Sequence, residues 1–512
     1  MSSPSPSTIG SEVDAWIGGI LRRQPVVGLA VAVVGEGATP HFNGCGLADI
    51  SSGDPITEGT VFRIASITKT FTAIAVMQLW ERGLVDLDAP ASTYLRSYRL
   101  LPARPGLAPP TLRHLMTHTA GLPEVSRPRG VVMRDWGESV PVGKTVPSLA
   151  EFYGPGLKWY AEPGTRFIYN NHGPATLGQI VEDVTGESLD RYLRAHLFEP
   201  LGMADTDLLR SEQVGARLAT GYEIRSRDIK KVPERDFVTA GAASIYSTPK
   251  DMARYAAALL GGGRNSRGSV LRPATLSTMF EPQYQPDPRL PGMGLGFFRM
   301  RLDDLLAVGH QGTLPGFHSQ ITVVPDRGVA VMAFTNGAHQ PDFWLPAAVL
   351  RLLRQLLGGP GAAGGRLAPH HPDIWDAICG WYRLGARFTD VRLRVMIGAG
   401  AEVFVRGGRL MVRFLSPVPA LAAGLPLQPD DEADPWAFRM DLPDEGAEPI
   451  RIVFGRDPAG STRLHLDLMP VRLEKQSPST NPRRWAAVAL AGVAAAAAGR
   501  RRASKRTRGR KG

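Results

Sequence analysis

The apolar residues of this chain change their spacing several times, and each change marks an element. Val13, Ile17, Ile20 and Leu21 recur every three or four positions across residues 9–22, the period of an amphipathic helix. Val26 to Val34 and Phe42 to Ile50 are strand-like runs separated by glycines, which predicts two strands joined by a turn. Beyond Lys69, the positions Phe71, Ile74, Ala75, Met77 and Leu79 sustain a helix that Gly83 can end, and its alanine and β-branched content predicts burial on most sides.

Helical spacing returns at Leu112 to Thr117, Ala175 to Val184, Leu189 to Leu197 and Lys250 to Leu260, the last announced by Ser247-Thr248-Pro249. Short apolar runs follow at Leu305 to Val308, His318 to Val324 and Val329 to Phe334, cut by glycine and proline, and Trp344 to Leu357 closes with helix. Strands at both ends with helices between them predict one sheet assembled from both ends of a domain spanning residues 1–357. Gly358-Gly-Pro-Gly-Ala-Ala-Gly-Gly365 opens a flexible linker over 358–372. Residues 373–475 then carry short alternating runs: Val391 to Ile397, Glu402 to Arg406, Leu410 to Phe414, Phe438 to Asp441, Arg451 to Phe454 and Leu464 to Leu468. They predict a small barrel-like β domain, with Trp381, Tyr382 and Trp436 as core aromatics.

Composition adds bounds to this pattern. With 512 residues, 43% hydrophobic and 21% charged, the chain is globular and long enough for more than one domain. Cys45 and Cys379 lack metal-ligand spacing and read as small buried apolar residues, so neither a disulfide nor a metal site is expected, and no cofactor is implied. Met1 to Thr8 is rich in Ser and Pro, and the first apolar run lies too far in for a secretory signal; a cytoplasmic location is expected. The net charge of +11 suggests a nucleic-acid partner until it is located. Ten basic residues and no acid lie between Arg483 and the end, so the body is close to neutral and nucleic-acid binding is not expected. Within the tail, residues 476–512, the apolar run Trp485 to Ala498 is shorter than the ~20 residues a spanning helix needs. A solvated, partly helical tail is the first expectation, and weak membrane contact the second.

Three groups carry candidate chemistry. Ser66-Ile67-Thr68-Lys69 puts a hydroxyl and an amine three residues apart where a helix begins. Such residues share a helix face, so Lys69 reaches Ser66 and, with its pKa lowered by burial, can help take the hydroxyl proton. The free N–H groups of the helix start favour an oxyanion beside Ser66, although a serine there is otherwise a cap. Tyr169-Asn170-Asn171 supplies a phenol and a carboxamide in a Gly/Pro-bounded loop before the next helix. A phenolate near an ammonium is stabilised, which makes Tyr169 a candidate base toward Ser66, while Asn171 either donates to a substrate carbonyl or holds Lys69. His310-Gln311-Gly312-Thr313 follows a strand. His310 is expected at the strand's end, facing the pocket. Gly312, with no Cβ, leaves room for substrate along the edge, and the Thr313 N–H completes an oxyanion hole with that of Ser66.

In this order the three groups resemble the motifs of the penicillin-recognising serine hydrolases, the class C β-lactamase-like family with its esterase, D-aminopeptidase and DD-peptidase relatives. The resemblance covers roughly residues 10–357 and extends to Leu112 to Pro123, Pro200 to Thr206 and Ala240 to Arg254. It implies an α/β (α+β) fold, a mixed sheet flanked by helices with a helical region inserted, and a site where they meet. It also implies Ser66 as acylated nucleophile, a base role shared by Tyr169 and Lys69, and Asn171 and His310 as substrate-positioning groups. Which of Lys69 and Tyr169 takes the proton stays open. Deacylation would use water activated by the same pair, since no Glu is singled out by spacing. The C-terminal region is similar to the lipocalin-like barrel of some of these hydrolases, through its strand pattern and Gly380-Trp381-Tyr382.

One position departs from the family pattern. β-Lactamases and DD-peptidases usually carry a lysine where this chain has His310, and a mostly neutral imidazole attracts a substrate carboxylate far less at pH 7. The expected activity is acyl-enzyme hydrolysis of an ester or amide in a small-molecule or peptide substrate. β-Lactam or DD-peptide turnover, or a catalytically silent binding role, are the alternatives.

Overall fold

The computed structural model describes residues 6–483 except 36, 38, 127–129, 131–132, 226–227, 340–343, 359–367, 386–393, 395–396, 443–448 and 458–459. Most of the expected strand at 391–397, the centre of the linker and the tail beyond Arg483 lie outside the described residues.

Strands β1 (Gly28–Gly35), β2 (His41–Asp49) and β3 (Asp54–Pro55) join β4 (Phe298–Leu302), β5 (Leu305–Leu314), β6 (Phe317–Val324) and β7 (Val329–Thr335). They form one seven-stranded sheet in the order β4-β5-β6-β7-β1-β2-β3. The two ends of the domain meet where β1 runs antiparallel to β7, with Leu29 opposite Thr335 and Val33 opposite Val331. Pairing in this sheet is antiparallel throughout, and parallel pairs occur in two small satellite sheets.

The helices that cover it are α1 (Pro6–Arg23), α2 (Thr68–Glu81), α3 (His172–Thr185), α4 (Pro249–Leu260) and α5 (Trp344–Leu356). Leu29, Val31 and Val33 pack with α1 and α5, while Ala30, Ala32 and Val34 belong to the cluster built with α2 and α4. That two-sided cover is why β1 reads as an unbroken apolar run instead of an alternating one. Leu21, expected on the buried face of α1, is 49% exposed; Trp16 takes the inward position and donates to the Ala348 carbonyl at 2.8 Å. Helix α2 is buried from Thr68 to Leu79. Its polar side chains are tied to backbone, Thr72 to the Gly241 carbonyl (2.7 Å) and Gln78 to those of His196 and Val270 (2.9 Å each), as burial of a hydroxyl or amide demands.

Beyond the sheet, eight antiparallel strands close into a barrel, its first strand Gly380–Leu384 pairing with its last, Val471–Gln476. Tyr382, Phe414, Phe438 and Phe454 fill the interior. Gly380–Leu384, Leu425–Pro429 and Val471–Gln476 were not among the expected strands: two prolines punctuate the second, and charged residues dilute the third. The barrel sits against the hydrolase domain, whose Phe167 and Met293 belong to the barrel's apolar cluster. Arg289 adds bonds to Asp434 (2.9 Å) and to the Phe454 carbonyl (2.6 Å). Cys45 and Cys379 are free and half-buried, not fully buried. Among the described residues no helix is long and apolar enough to cross a membrane.

Candidate active site

Ser66 lies on a one-turn 3-10 helix, Ala65–Ile67, that runs directly into α2. Its hydroxyl caps nothing. The preceding Ala65 has φ +51°, a left-handed conformation that costs a non-glycine residue about 1–2 kcal/mol. The turn is pinned from several sides: the Ile64 carbonyl accepts from Ser319 Oγ (2.8 Å), the Ile64 N–H donates to the Ile245 carbonyl (3.0 Å), and the Ile245 N–H donates to Thr68 Oγ1 (3.1 Å). Ser66 itself is 9% exposed.

Lys69 follows one helical turn later, buried to 2% exposure. Its Nζ donates to Ser66 Oγ at 2.9 Å, to Asn171 Oδ1 at 2.8 Å and to the Ala242 carbonyl at 3.0 Å. Of the two uses open to Asn171 in the sequence, the structure shows the hold on Lys69. The Tyr169 ring centroid is 5.0 Å from Lys69 Nζ. Tyr169 is itself packed against His118, ring centroids 4.5 Å apart, and the His118 carbonyl accepts the Ile168 N–H at 2.8 Å. His118 holds φ +57°, so the turn after Leu112–Met116 is bent to support the Tyr169 loop.

The third group differs from expectation at His310. His310 is inside β5, opposite Ile321, and not at a strand end. The ladder continues through Gly309 and Gly312. Gly312 is required because a Cβ there would come 2.2 Å from the Ile64 carbonyl and 2.2 Å from Ser319 Oγ. Its smallness lets β5 press against the turn that carries Ser66. Thr313 follows with an exposed side chain.

His310 is 1% exposed, 6.2 Å from the Tyr169 ring and 5.1 Å from that of Phe298. Burial, with the Lys69 charge adding to it, pushes its pKa down to about 3. Its Nδ1 lies 2.6 Å from the Gln311 carbonyl, so Nδ1 carries the hydrogen. Nε2 is buried and has no hydrogen-bond partner among the described residues. It is a neutral acceptor.

Two groups around Lys69 escaped the sequence: the Ala242 carbonyl, which as backbone leaves no residue-type signal, and Glu138, which accepts from Asn171 Nδ2 at 2.8 Å. Nothing in the spacing of Glu138 marks it.

A family model described as Beta-lactamase matches residues 13–355. The chain belongs to the Beta-lactamase family. It is a serine hydrolase, from a family that acts on small-molecule or peptide substrates. This Beta-lactamase family member is 28% identical over 379 residues to Esterase EstB of Burkholderia gladioli, covering 65% of this chain and 92% of that protein. It is 28% identical over 348 residues to Penicillin-binding protein 4 of Amycolatopsis lactamdurans, covering 65% and 85%. Among solved structures, the D-amino acid amidase of Ochrobactrum anthropi SV3 superposes with a TM-score of 0.56 at 26% identity, over 68% of this chain and 98% of that one. The octameric penicillin-binding protein homologue of Pyrococcus abyssi shares 23% identity and a TM-score of 0.58 over 91% of this chain and 100% of its own, so the common fold extends into the barrel region.

Proposed function

We propose that this hydrolase cleaves esters or amides through an acyl-enzyme on Ser66, and that its substrates present no carboxylate to His310. The carrying observation is the state of that imidazole. With its hydrogen on Nδ1 and its pKa near 3, His310 offers a lone pair at Nε2. A carboxylate brought there would meet an acceptor, and two acceptors repel, whereas a hydroxyl, an amine or an amide N–H would be bound.

In this reading Lys69 is the acylation base, because it makes the direct 2.9 Å bond to Ser66. The Ser66 proton passes to Nζ as Oγ attacks the acyl carbon, and the carbonyl π electrons move onto oxygen beside the N–H groups of Ser66 and Thr313. Collapse of that intermediate expels the alcohol or amine, which takes a proton through Tyr169. Water then attacks the acyl-enzyme, losing its proton to the Tyr169 and Lys69 pair and releasing the acid and Ser66.

The test is a panel of p-nitrophenyl esters, D-amino-acid anilides and a chromogenic cephalosporin against wild type, Ser66→Ala and His310→Lys. Wild type is expected to turn over an ester or anilide well ahead of the cephalosporin and to take a fluorophosphonate label that Ser66→Ala does not. His310→Lys is expected to move the preference toward the cephalosporin. Wild type that prefers the cephalosporin overturns the substrate reading, and a label that survives in Ser66→Ala overturns the nucleophile.

A further inference from the structure

Asn171 meets a buried carboxylate that the reaction above does not use. Glu138 is 1% exposed, and its Oε2 accepts from Asn171 Nδ2 (2.8 Å) and from Thr239 Oγ1 (3.1 Å). Its Oε1 stands 3.5 Å from His172 Nε2. The other nitrogen of His172, Nδ1, is 3.0 Å from the Tyr153 hydroxyl. His172 is fully buried, and burial lowers its pKa. At 3.5 Å, His172 Nε2 and Glu138 Oε1 are neighbours without a hydrogen bond between them. Two donors thus hold Oε2.

An ionised carboxylate can only accept. Facing it, the Asn171 carboxamide has one favourable orientation, Nδ2 toward Glu138 and Oδ1 toward Lys69. The Ala242 carbonyl is a second group on Lys69 that can only accept. To act as base, Lys69 must first lose the hydrogen its ammonium donates to Ser66 Oγ; the neutral amine that remains has two hydrogens and one lone pair. With its hydrogens directed at Asn171 Oδ1 and the Ala242 carbonyl, the lone pair is left for the third direction, where Ser66 Oγ lies 2.9 Å away. We infer that Glu138 is a positioning residue for the hydrolysis: by fixing the orientation of the Asn171 carboxamide, it aims the Lys69 lone pair at the Ser66 hydroxyl.

This inference rests on Lys69 being the acylation base. Glutamine at 138 removes the discrimination, since an amide both donates and accepts. Asn171 can then turn Nδ2 toward Lys69 and occupy the lone pair that Ser66 needs.

The experiment measures single-turnover acylation by a p-nitrophenyl ester, with its pH profile, in Glu138→Gln, Glu138→Asp, Asn171→Leu and the Glu138→Gln/Asn171→Leu double variant. Glu138→Gln is expected to slow acylation on the order of 100-fold with little change in KM, and to shift the acidic limb of the profile, where Lys69 loses its proton. Glu138→Asp, which keeps an acceptor-only group, is expected to recover most of the rate. The double variant is expected to be no slower than Asn171→Leu, because the two residues act in series. Acylation by Glu138→Gln within about threefold of wild type, or losses that multiply in the double variant, overturns the inference while Ser66→Ala and Lys69→Met remain dead. Lys69→Met that acylates normally overturns the base assignment instead, and this inference with it. Should Glu138→Gln fail to fold, the wild type decides. In protein labelled with 15N-asparagine, the Asn171 side-chain NH2 signals, identified by their loss in Asn171→Leu, are expected to exchange slowly with water, and fast exchange overturns the inference.

Discussion

The surroundings of Lys69 and the interior of the barrel are both buried, yet they are filled in opposite ways. Around Lys69 the buried groups are polar and meet in sequence: Ser66, Asn171, Glu138, Thr239, His172 and Tyr153. Inside the barrel Phe414, Phe438 and Phe454 fill the space with Tyr382, whose hydroxyl is tied to the Ile378 carbonyl at 2.6 Å. An apolar core asks mainly for the right volume, whereas a buried polar chain needs each donor and acceptor in place, and one missing partner strands the next. Chemistry should therefore be fragile in the first region and stability in the second.

The largest expected effect tests the first half of that contrast. Ser66→Ala should lower ester turnover on the order of 10⁴-fold or more, measured with p-nitrophenyl ester, while the urea unfolding midpoint stays put or rises. An equal loss of stability would break the contrast. Phe454→Ala tests the second half. Phe454 is 1% exposed, and truncating such a ring costs about 3–5 kcal/mol of stability by urea unfolding. The protein that remains folded should still take the fluorophosphonate label at the wild-type rate.

Gly312→Ala probes the seam between sheet and nucleophile. A methyl group at 2.2 Å from the Ile64 carbonyl must push β5 away from the Ser66 turn. Turnover should fall on the order of 10- to 100-fold, with about 1–3 kcal/mol of stability lost to overpacking. Unchanged kinetics would mean that the seam does not position Ser66.

What the sequence made legible follows the same division. Ser66 and Lys69 were readable because an i, i+3 spacing is local, and helix geometry alone brings the two groups together. The two-ended sheet was readable because β1 and β7 are both apolar runs. Glu138 was not, because its contact with Asn171 spans 33 residues and comes from folding that no local pattern encodes. Gly312 was noticed for its smallness and assigned to substrate; the second demand on that smallness, the close approach to the Ile64 carbonyl, comes from folding and leaves no local signal. In the barrel, Leu425–Pro429 pairs with neighbours on both sides although its prolines read as turn residues. Tertiary pairing overrode local preference there.

The smallest expected effect separates the two regions by pH. In the hydrolase domain, burial holds His310 near pKa 3 and His318 near 4. Unfolded imidazoles titrate near 6.5, so as pH falls below that value the unfolded chain takes up protons that the fold refuses. Each such histidine costs at most about 1.4 kcal/mol of stability per pH unit until the folded pKa is reached. In the barrel, His465 behaves the same way, held near 4 by burial. Asp467 acts against it: burial pushes its pKa up to about 7, so the folded state holds a proton that the unfolded carboxylate lacks, and that contribution grows as pH falls from 7 toward 4. Between pH 7 and 5.5, hydrogen exchange corrected for intrinsic rates should therefore show β6 losing more protection than the barrel strand Ile450–Arg456. Asp467→Asn should make the barrel more acid-sensitive than in wild type, and identical pH responses of wild type and Asp467→Asn would remove the distinction.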